Sequence, residues 1–510
     1  MINVTGVVVF LVMFCFSASQ VDVVENTETP TTEVGELMLT TEAELGAENN
    51  IEENWPLTVS LCKKCICENK KVECSDSDSF TLQDGDLEGL IATDVEELNL
   101  SGNSLKTLTE LPKLSIQTLN LSWCDLSFLD GSPFLKLKNL KYLDLSHNDL
   151  PTSAINKISL AGYLEDNFVL PRRFPDITSL NLAYNDIHSL QKDVFIFMME
   201  LQSLDLSGNP LGYLDQVTMG AISDLTKLKE LRLSGCGLES IPEGLLRRQR
   251  RLERLDLSNN KFTSVPTVLS EPVSLLYLNL NRNLISSLNE KSAITSLTEL
   301  KELHLSGLSM LQSIGAGALG GLPNLNSLYI TYNPKLTNID PSFLMWIEEN
   351  EEERWPPIKE LHLNNNNISH ISSNYVDNWR ELVAINVSSN PYMCDCSNQW
   401  MVDVLVPLVR RIDSDADNDM ICKKPPDMRG LTIGYLYDIS KRLECLSELT
   451  MGNNETSNAG IILGIMIGIF VTFPIVFLIV LLWKRGFFLR CRRRLVRDND
   501  IYDVEETDAF

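Results

Sequence analysis

Apolar and polar residues alternate in one recurring phrase along the middle of the chain. It is clearest in VEELNLSGN (95–103), LKYLDLSHN (140–148), ITSLNLAYN (177–185), LQSLDLSGN (201–209), LERLDLSNN (252–260), LLYLNLNRN (275–283) and IKELHLNNN (358–366). Weaker copies are IQTLNLSWC, LKELRLSGC, LKELHLSGL, LNSLYITYN and LVAINVSSN. The twelve copies run from residue 98 to residue 385 at a mean period of about 26 residues. Within each copy, Leu-x-Leu predicts a short strand with its leucines turned inward and the residues between them turned out. Units of this size that recur at one period stack side by side, so the strands join into one parallel sheet.

The phrase L-x-x-L-x-L-x-x-N/C at this spacing resembles the extracellular leucine-rich repeat superfamily, over about residues 60–446. The resemblance implies an α/β-type leucine-rich repeat solenoid, a curved parallel β-sheet of about twelve repeats closed by disulfide caps, with partners bound on the concave face. It also implies that the ninth-position Asn bonds loop backbone groups that would otherwise be buried unsatisfied. Cys124 and Cys236 hold that position in their repeats and are expected to be buried thiols. Leu308 replaces the Asn in the ninth repeat and should disturb the ladder there. Two connections are long, 151–176 and 343–357; the second carries the acidic run EENEEER, expected as a solvated loop.

Cysteine usage adds the caps. Cys62, Cys65, Cys67 and Cys74 form one group, and Cys394, Cys396, Cys422 and Cys445 another. In a secreted region two groups of four read as disulfides; the C-x2-C-x-C of the first also has a zinc-like spacing, but thiols in an oxidising compartment are normally paired. LCKKCICENKKVEC resembles the family's N-flanking cap, and NPYMCDCSNQW with ICKKPPDMRGL and LEC its C-flanking cap. That resemblance implies the crossed pairings Cys62–Cys67 with Cys65–Cys74, and Cys394–Cys422 with Cys396–Cys445.

Residues 1–19 read as a secretory signal, with an apolar stretch at 7–16 and Ser17 and Ser19 before the cut. Ile461–Trp483 is a charge-free run long enough to span a hydrocarbon layer of roughly 30 Å, and KRGFFLRCRRRLVR follows it. The expected plan is therefore a signal (1–19), an acidic Thr/Glu-rich disordered spacer (20–59), an N-terminal cap (60–90), repeats (91–390), a C-terminal cap (391–446), a stalk (447–459), a transmembrane helix (460–483) and a cytoplasmic tail (484–510). That plan is the one expected of a single-pass type I plasma-membrane protein with its N-terminus outside. Gly460, Gly464 and Gly468 line one face of the span, where two helices could approach closely in a homodimer. Cys491, in the basic juxtamembrane stretch, is a palmitoylation candidate.

The formal net charge of −26 lies almost wholly between the leader and the tail. An acidic body of that size repels polyphosphates, which argues against nucleic acid as a partner. The five histidines form no HExxH, and no Gly-x-Ser-x-Gly elbow, Walker loop or kinase signature occurs. No enzyme activity, cofactor or metal is expected. A tail of 27 residues is too short for a signalling domain of the Toll-like receptor kind.

Protein recognition is left. The outward strand positions of repeats six to ten carry Arg232, Arg254, Tyr277, Arg282, His304, Tyr329 and Tyr332, and arginine and tyrosine are enriched in interface hot spots. Glycosylation sequons fall at Asn99, Asn120, Asn367, Asn386 and Asn454; the first two and Asn386 sit on strands at the two ends of the array, flanking that stripe. The sequence thus reads as a non-enzymatic cell-surface recognition or adhesion receptor. The alternatives are an accessory co-receptor or negative modulator of a separate receptor, for example of the Toll-like kind, and a structural or sorting component without a diffusible ligand.

Overall fold

The computed structural model describes residues 60–76, 87–162, 174, 176–271, 274–379, 381–445 and 474–485. The Leu-x-Leu segments form three-residue strands that pair in parallel and in register. Leu98 stands beside Leu119 and Leu119 beside Leu143; the same holds from Leu231 to Leu255 and Leu278, and from Leu361 to Ile385. An antiparallel hairpin, Ile66–Glu68 with Lys71–Glu73, precedes them, and its second strand joins Glu97–Asn99 in parallel. The described sheet has fourteen strands. Its inward leucines are buried almost completely, and each contributes roughly 1.5–3 kcal/mol relative to an exposed side chain.

The return paths are not helical as an α/β-type solenoid would have them. Among the described repeats, the one α-helix is Gln216–Ser223, capped by Asp215, whose carboxylate accepts the Thr218 N–H. Elsewhere there are 3-10 turns such as Thr267–Ser270 and Ala293–Ser296, and two-residue strands. Three of these strands, Ser287–Leu288, Ser313–Ile314 and Asn338–Ile339, pair in parallel. The fold is thus a leucine-rich repeat β-solenoid of about twelve turns. The physical reason is length: after strand and loop, a period near 26 leaves about a dozen residues, marginal for offsetting helix nucleation. Pro242, Gly244 and Pro266 interrupt such segments further.

The ninth-position side chains form a buried ladder. Asn148 Oδ1 accepts the N–H groups of Cys124 (2.8 Å) and Leu126 (3.0 Å) in the preceding turn, while its amide donates to Leu121 O (2.8 Å) and Leu145 O (3.0 Å). Cys124 and Cys236 stand in the same column as weak donors, their thiols directed at Leu100 O (3.2 Å) and Leu206 O (3.3 Å). Both are unpaired and buried, and burial pushes their pKa values up to about 11 and about 12. At Leu308 the ladder is half kept. Its N–H is accepted by Asn333 Oδ1 (2.6 Å), but its fully buried side chain has no amide to return to the preceding turn.

Both ends are stapled, by Cys62–Cys67 and Cys65–Cys74 at one and Cys394–Cys422 and Cys396–Cys445 at the other. In the C-terminal cap, Trp400 Nε1–H donates to Ile371 O (2.9 Å), and Arg410 ties Asp417 to Asp438. The run EENEEER forms the exposed turn of a short antiparallel hairpin, Trp346–Ile347 with Glu353–Arg354. There Arg354 pairs with Glu348 (3.2 Å) and Glu352 (2.6 Å).

Among the described residues no helix is long and apolar enough to cross a membrane. Residues 474–484 are helical; residues 461–473 of the expected span lie outside the described part, as do Gly460, Gly464, Gly468, Asn454 and Cys491.

Candidate partner-binding face

The outward position between the two strand leucines is Asn or Asp in eight repeats. In all eight the side-chain oxygen accepts the N–H two residues on, at 2.8–3.0 Å: Asn99, Asn120, Asp144, Asn181, Asp205, Asp256, Asn279 and Asn386. Such a local bond closes the strand end and explains why the position favours short polar residues. The other four repeats place Arg232, His304, Tyr329 and His362 there and forgo the bond. In three of them the same N–H turns to the preceding turn instead. Ser234 donates to Ser207 Oγ (3.3 Å), Ser306 to Asn281 Oδ1 (2.6 Å) and Thr331 to Ser306 Oγ (3.2 Å).

What these repeats gain is a continuous stack on the outward face of the sheet. The Arg254 guanidinium lies 4.0 Å above the Tyr277 ring centroid. Tyr277 meets His304 at 5.1 Å and 49°, His304 stacks on Tyr329 at 4.4 Å and 6°, and Tyr329 on His362 at 4.8 Å and 9°. The repeat spacing produces this, because strands about 4.8 Å apart set His304, Tyr329 and His362 in one column at stacking distance, with Arg254 and Tyr277 joining from the neighbouring column.

Carboxylates from the column that also carries Arg254 and Tyr277 hold the stack. Glu230 pairs with Arg232 (2.7 Å) and approaches Arg254 (3.6 Å). Glu302 meets His304 Nε2 at 2.7 Å, and the Tyr329 hydroxyl donates to Glu360 at 2.6 Å. Burial pushes the Tyr329 phenol up, with the Glu360 hydrogen bond acting the same way, so it stays a donor. Burial also lowers the His362 pKa, which leaves a neutral imidazole at the end of the stack at neutral pH.

Of the residues singled out in the sequence, the structure brings Arg232, Arg254, Tyr277, His304 and Tyr329 into this one assembly. Arg282 and Tyr332 stand apart, in the left-handed turn just after the strands, at φ 54° and 55°. His362 belongs to the stack and was missed; its place between two strand leucines was the available signal. Trp123, His147 and Tyr184 were missed too, although they hold the same repeat position as Arg282 and Tyr332. Among the described sequons, Asn99, Asn120 and Asn386 are half-buried on strands, and the Asn99 amide donates to Glu73 (2.8 Å); Asn367 is exposed.

Comparison with known proteins agrees with this architecture. A leucine rich repeat family model matches residues 175–238, 226–285 and 250–307, and a second matches 136–151. The chain is 27% identical to Tsukushi of Gallus gallus over 328 residues, covering 61% of this chain and 75% of that protein. It is 26% identical to the CD180 antigen of Mus musculus, over 58% of this chain and 38% of the relative. Chaoptin of Drosophila melanogaster is 30% identical, over 42% of this chain and 19% of its own length. The chain thus spans less than two fifths of the latter two. The solved mouse RP105/MD-1 complex matches with a TM-score of 0.52 at 23% identity, over 74% of this chain and 54% of that one, a likeness of fold. With repeat register, asparagine ladder and capped ends all in place, the chain is a leucine-rich repeat protein and resembles those of the extracellular type.

Proposed function

We propose that this protein is a non-enzymatic cell-surface recognition or adhesion receptor that binds a protein partner on the concave face of repeats six to eleven. The carrying observation is the continuous Arg254–Tyr277–His304–Tyr329–His362 stack. Tyrosine and arginine dominate interface hot spots because they combine large contact area with a polar tip. Here the side chains are fixed by stacking and by Glu230, Glu302 and Glu360, so a partner would order little on binding.

The wider plan belongs to the same proposal. A secretory leader delivers the chain, and the apolar run with its basic flank anchors it as a single-pass type I protein. Glycans fall at the sequons, with exposed Asn367 the best presented. Cys491 takes a lipid, and the Gly460–Gly464–Gly468 stripe supports a dimer.

A second reading, an accessory co-receptor or negative modulator, is favoured by the likeness to the solved RP105/MD-1 complex, a repeat protein seated with another protein. The test displays the full chain on cells and compares it with the variant Arg232→Ala, Arg254→Ala, Tyr277→Ala, Tyr329→Ala at equal surface level. Loss of cell–cell aggregation in the variant supports adhesion through this face. Aggregation that persists in the variant moves the contact elsewhere. If neither protein aggregates cells, adhesion fails and the co-receptor reading stands.

A further inference from the structure

A second ring stack stands on the other half of the array. Trp123 and His147 lie 4.0 Å apart at 8°, and His147 and Tyr184 4.4 Å apart at 10°. All three occupy the residue just before the buried ladder position, where the backbone is left-handed: φ is 58°, 53° and 54°. Gly102 and Gly208 fill the same position in the repeats on either side, at φ 74° and 70°. That conformation suits glycine and strains bulky side chains, so these rings are kept against a local preference.

The two ends of the stack differ. At the C-terminal end the Tyr184 ring rests on Gly208, where a Cβ would come within 2.5 Å of it. At the N-terminal end Trp123 is 61% exposed although His147 covers one face, so its other indole face is open. Gly102 holds the corresponding position in the preceding turn. Beyond Gly102 stands the Asp76 carboxylate, which a Cβ on Gly102 would meet at 2.1 Å. The backbone rungs Asp76 N–H to Ser101 O (3.0 Å) and Gly102 N–H to Ser122 O (3.0 Å) put these residues in successive turns. The backbones of Asp76 and Trp123 are therefore two strand spacings apart, about 10 Å, and between them comes Gly102, which has no side chain and against which the Asp76 carboxylate lies.

The other stack shows what fits such a slot. There Arg254 lies on the first ring, Tyr277, and reaches back toward the Glu230 carboxylate. Around Trp123 the carboxylate and the ring are present, and the chain supplies a glycine where the cation would be.

We infer that the notch formed by Asp76, Gly102 and Trp123 is a binding site for an arginine side chain of a protein partner. The guanidinium lies flat on the indole as a fourth layer of the stack and pairs with the carboxylate. Tryptophan is the best cation–π acceptor, and a planar guanidinium stacks where an ammonium cannot. The acidic body draws in cationic partners. This site is separate from the repeat six to eleven face and does not depend on it.

Calorimetric titration of the detergent-solubilised full chain with a capped tri-arginine peptide tests the assignment, with capped tri-citrulline and tri-lysine as comparators. Saturable arginine binding is expected, with tri-citrulline at least about tenfold weaker and tri-lysine weaker than tri-arginine. Asp76→Asn and Trp123→Leu should each lower arginine affinity about fivefold or more, and Gly102→Asn, which tolerates the left-handed backbone, should block the slot. Asp76 is exposed and packs little, so Asp76→Asn decides the question if Trp123→Leu fails to fold. Wild-type affinity in Asp76→Asn and Trp123→Leu, equal binding of tri-citrulline, or equal binding of tri-lysine overturns it.

Discussion

Asn148 offers the sharpest test of how this solenoid is held together. Its side chain is the partner of Cys124 N–H, Leu126 N–H and Leu121 O, all in the preceding turn. Leu145 O has a second donor in Asn185 (2.9 Å), and Ser146 O accepts the Trp123 N–H (3.1 Å), so neither is orphaned by losing Asn148. Asn148→Ala therefore strands three buried backbone groups. At about 1–3 kcal/mol per buried unsatisfied group, and allowing partial relaxation, the cost should be roughly 3–6 kcal/mol. Asn148→Cys imitates what the chain does at Cys124 and Cys236. It keeps a weak donor for Leu121 O and loses the acceptor for two N–H groups, so it should fall between wild type and alanine. Urea unfolding followed by tryptophan fluorescence gives the stability order, and hydrogen exchange at residues 121–150 shows whether the loss is local, as expected for a nearest-neighbour array. Stability of Asn148→Ala within about 1 kcal/mol of wild type, with unchanged exchange at Cys124 and Leu126, would refute the ladder's energetic role.

Two further outcomes follow from titratable groups. Cys124 and Cys236, with pKa values near 11 and 12 and buried sulfurs, should resist maleimide at pH 8 in the folded chain and react fully in denaturant; mass spectrometry finding rapid native labelling contradicts the buried assignment. His362 has its pKa lowered chiefly by burial, against the opposing pull of Glu360. Its neutral form is thus favoured on folding, and the stability it contributes is full above the unfolded value of about 6.5 and lost as pH falls through the lower folded value. His362→Asn should flatten that part of the stability profile between pH 7 and 5; an identical profile means the group titrates as it does unfolded.

How much was legible in advance depended on whether a residue's role is local. The strands were readable because Leu-x-Leu needs only its own alternation, and the ladder because a small polar residue recurs after it. The return paths were not, because about a dozen residues can close a turn as helix, 3-10 turn or two-residue strand, and packing against the next turn decides. At the site, arginine and tyrosine stood out by type. Their union into one stack was invisible, because it depends on side chains one period apart leaning the same way. His362 was passed over for that reason, since alone it is an outward histidine and only Tyr329, one turn earlier, makes it a layer. Arg282 and Tyr332 were included on type alone, and the turn that holds them lies beside the stack.

The left-handed column gives the clearest case of local preference yielding to something else. Four repeats use glycine there, Gly102, Gly208, Gly235 and Gly307, while Trp123, His147 and Tyr184 hold the same backbone with large rings. Three such residues cost on the order of 1–3 kcal/mol each, and two stacked pairs return about 0.5–1.5 kcal/mol each beyond their buried area. Apolar burial does not close the gap, since Trp123 and Tyr184 are more than half exposed. A solenoid selected for stability alone would place glycine or asparagine in all three turns, as its neighbours do. Rings that cost stability and leave an indole face toward solvent are what the proposed arginine site would account for. The stack on the sheet's outward face makes the same exchange when His304, Tyr329 and His362 replace the residue that closes the strand end. Trp123, His147 and Tyr184 in one half of the array, and His304, Tyr329 and His362 in the other, put rings where a short residue would satisfy the local backbone.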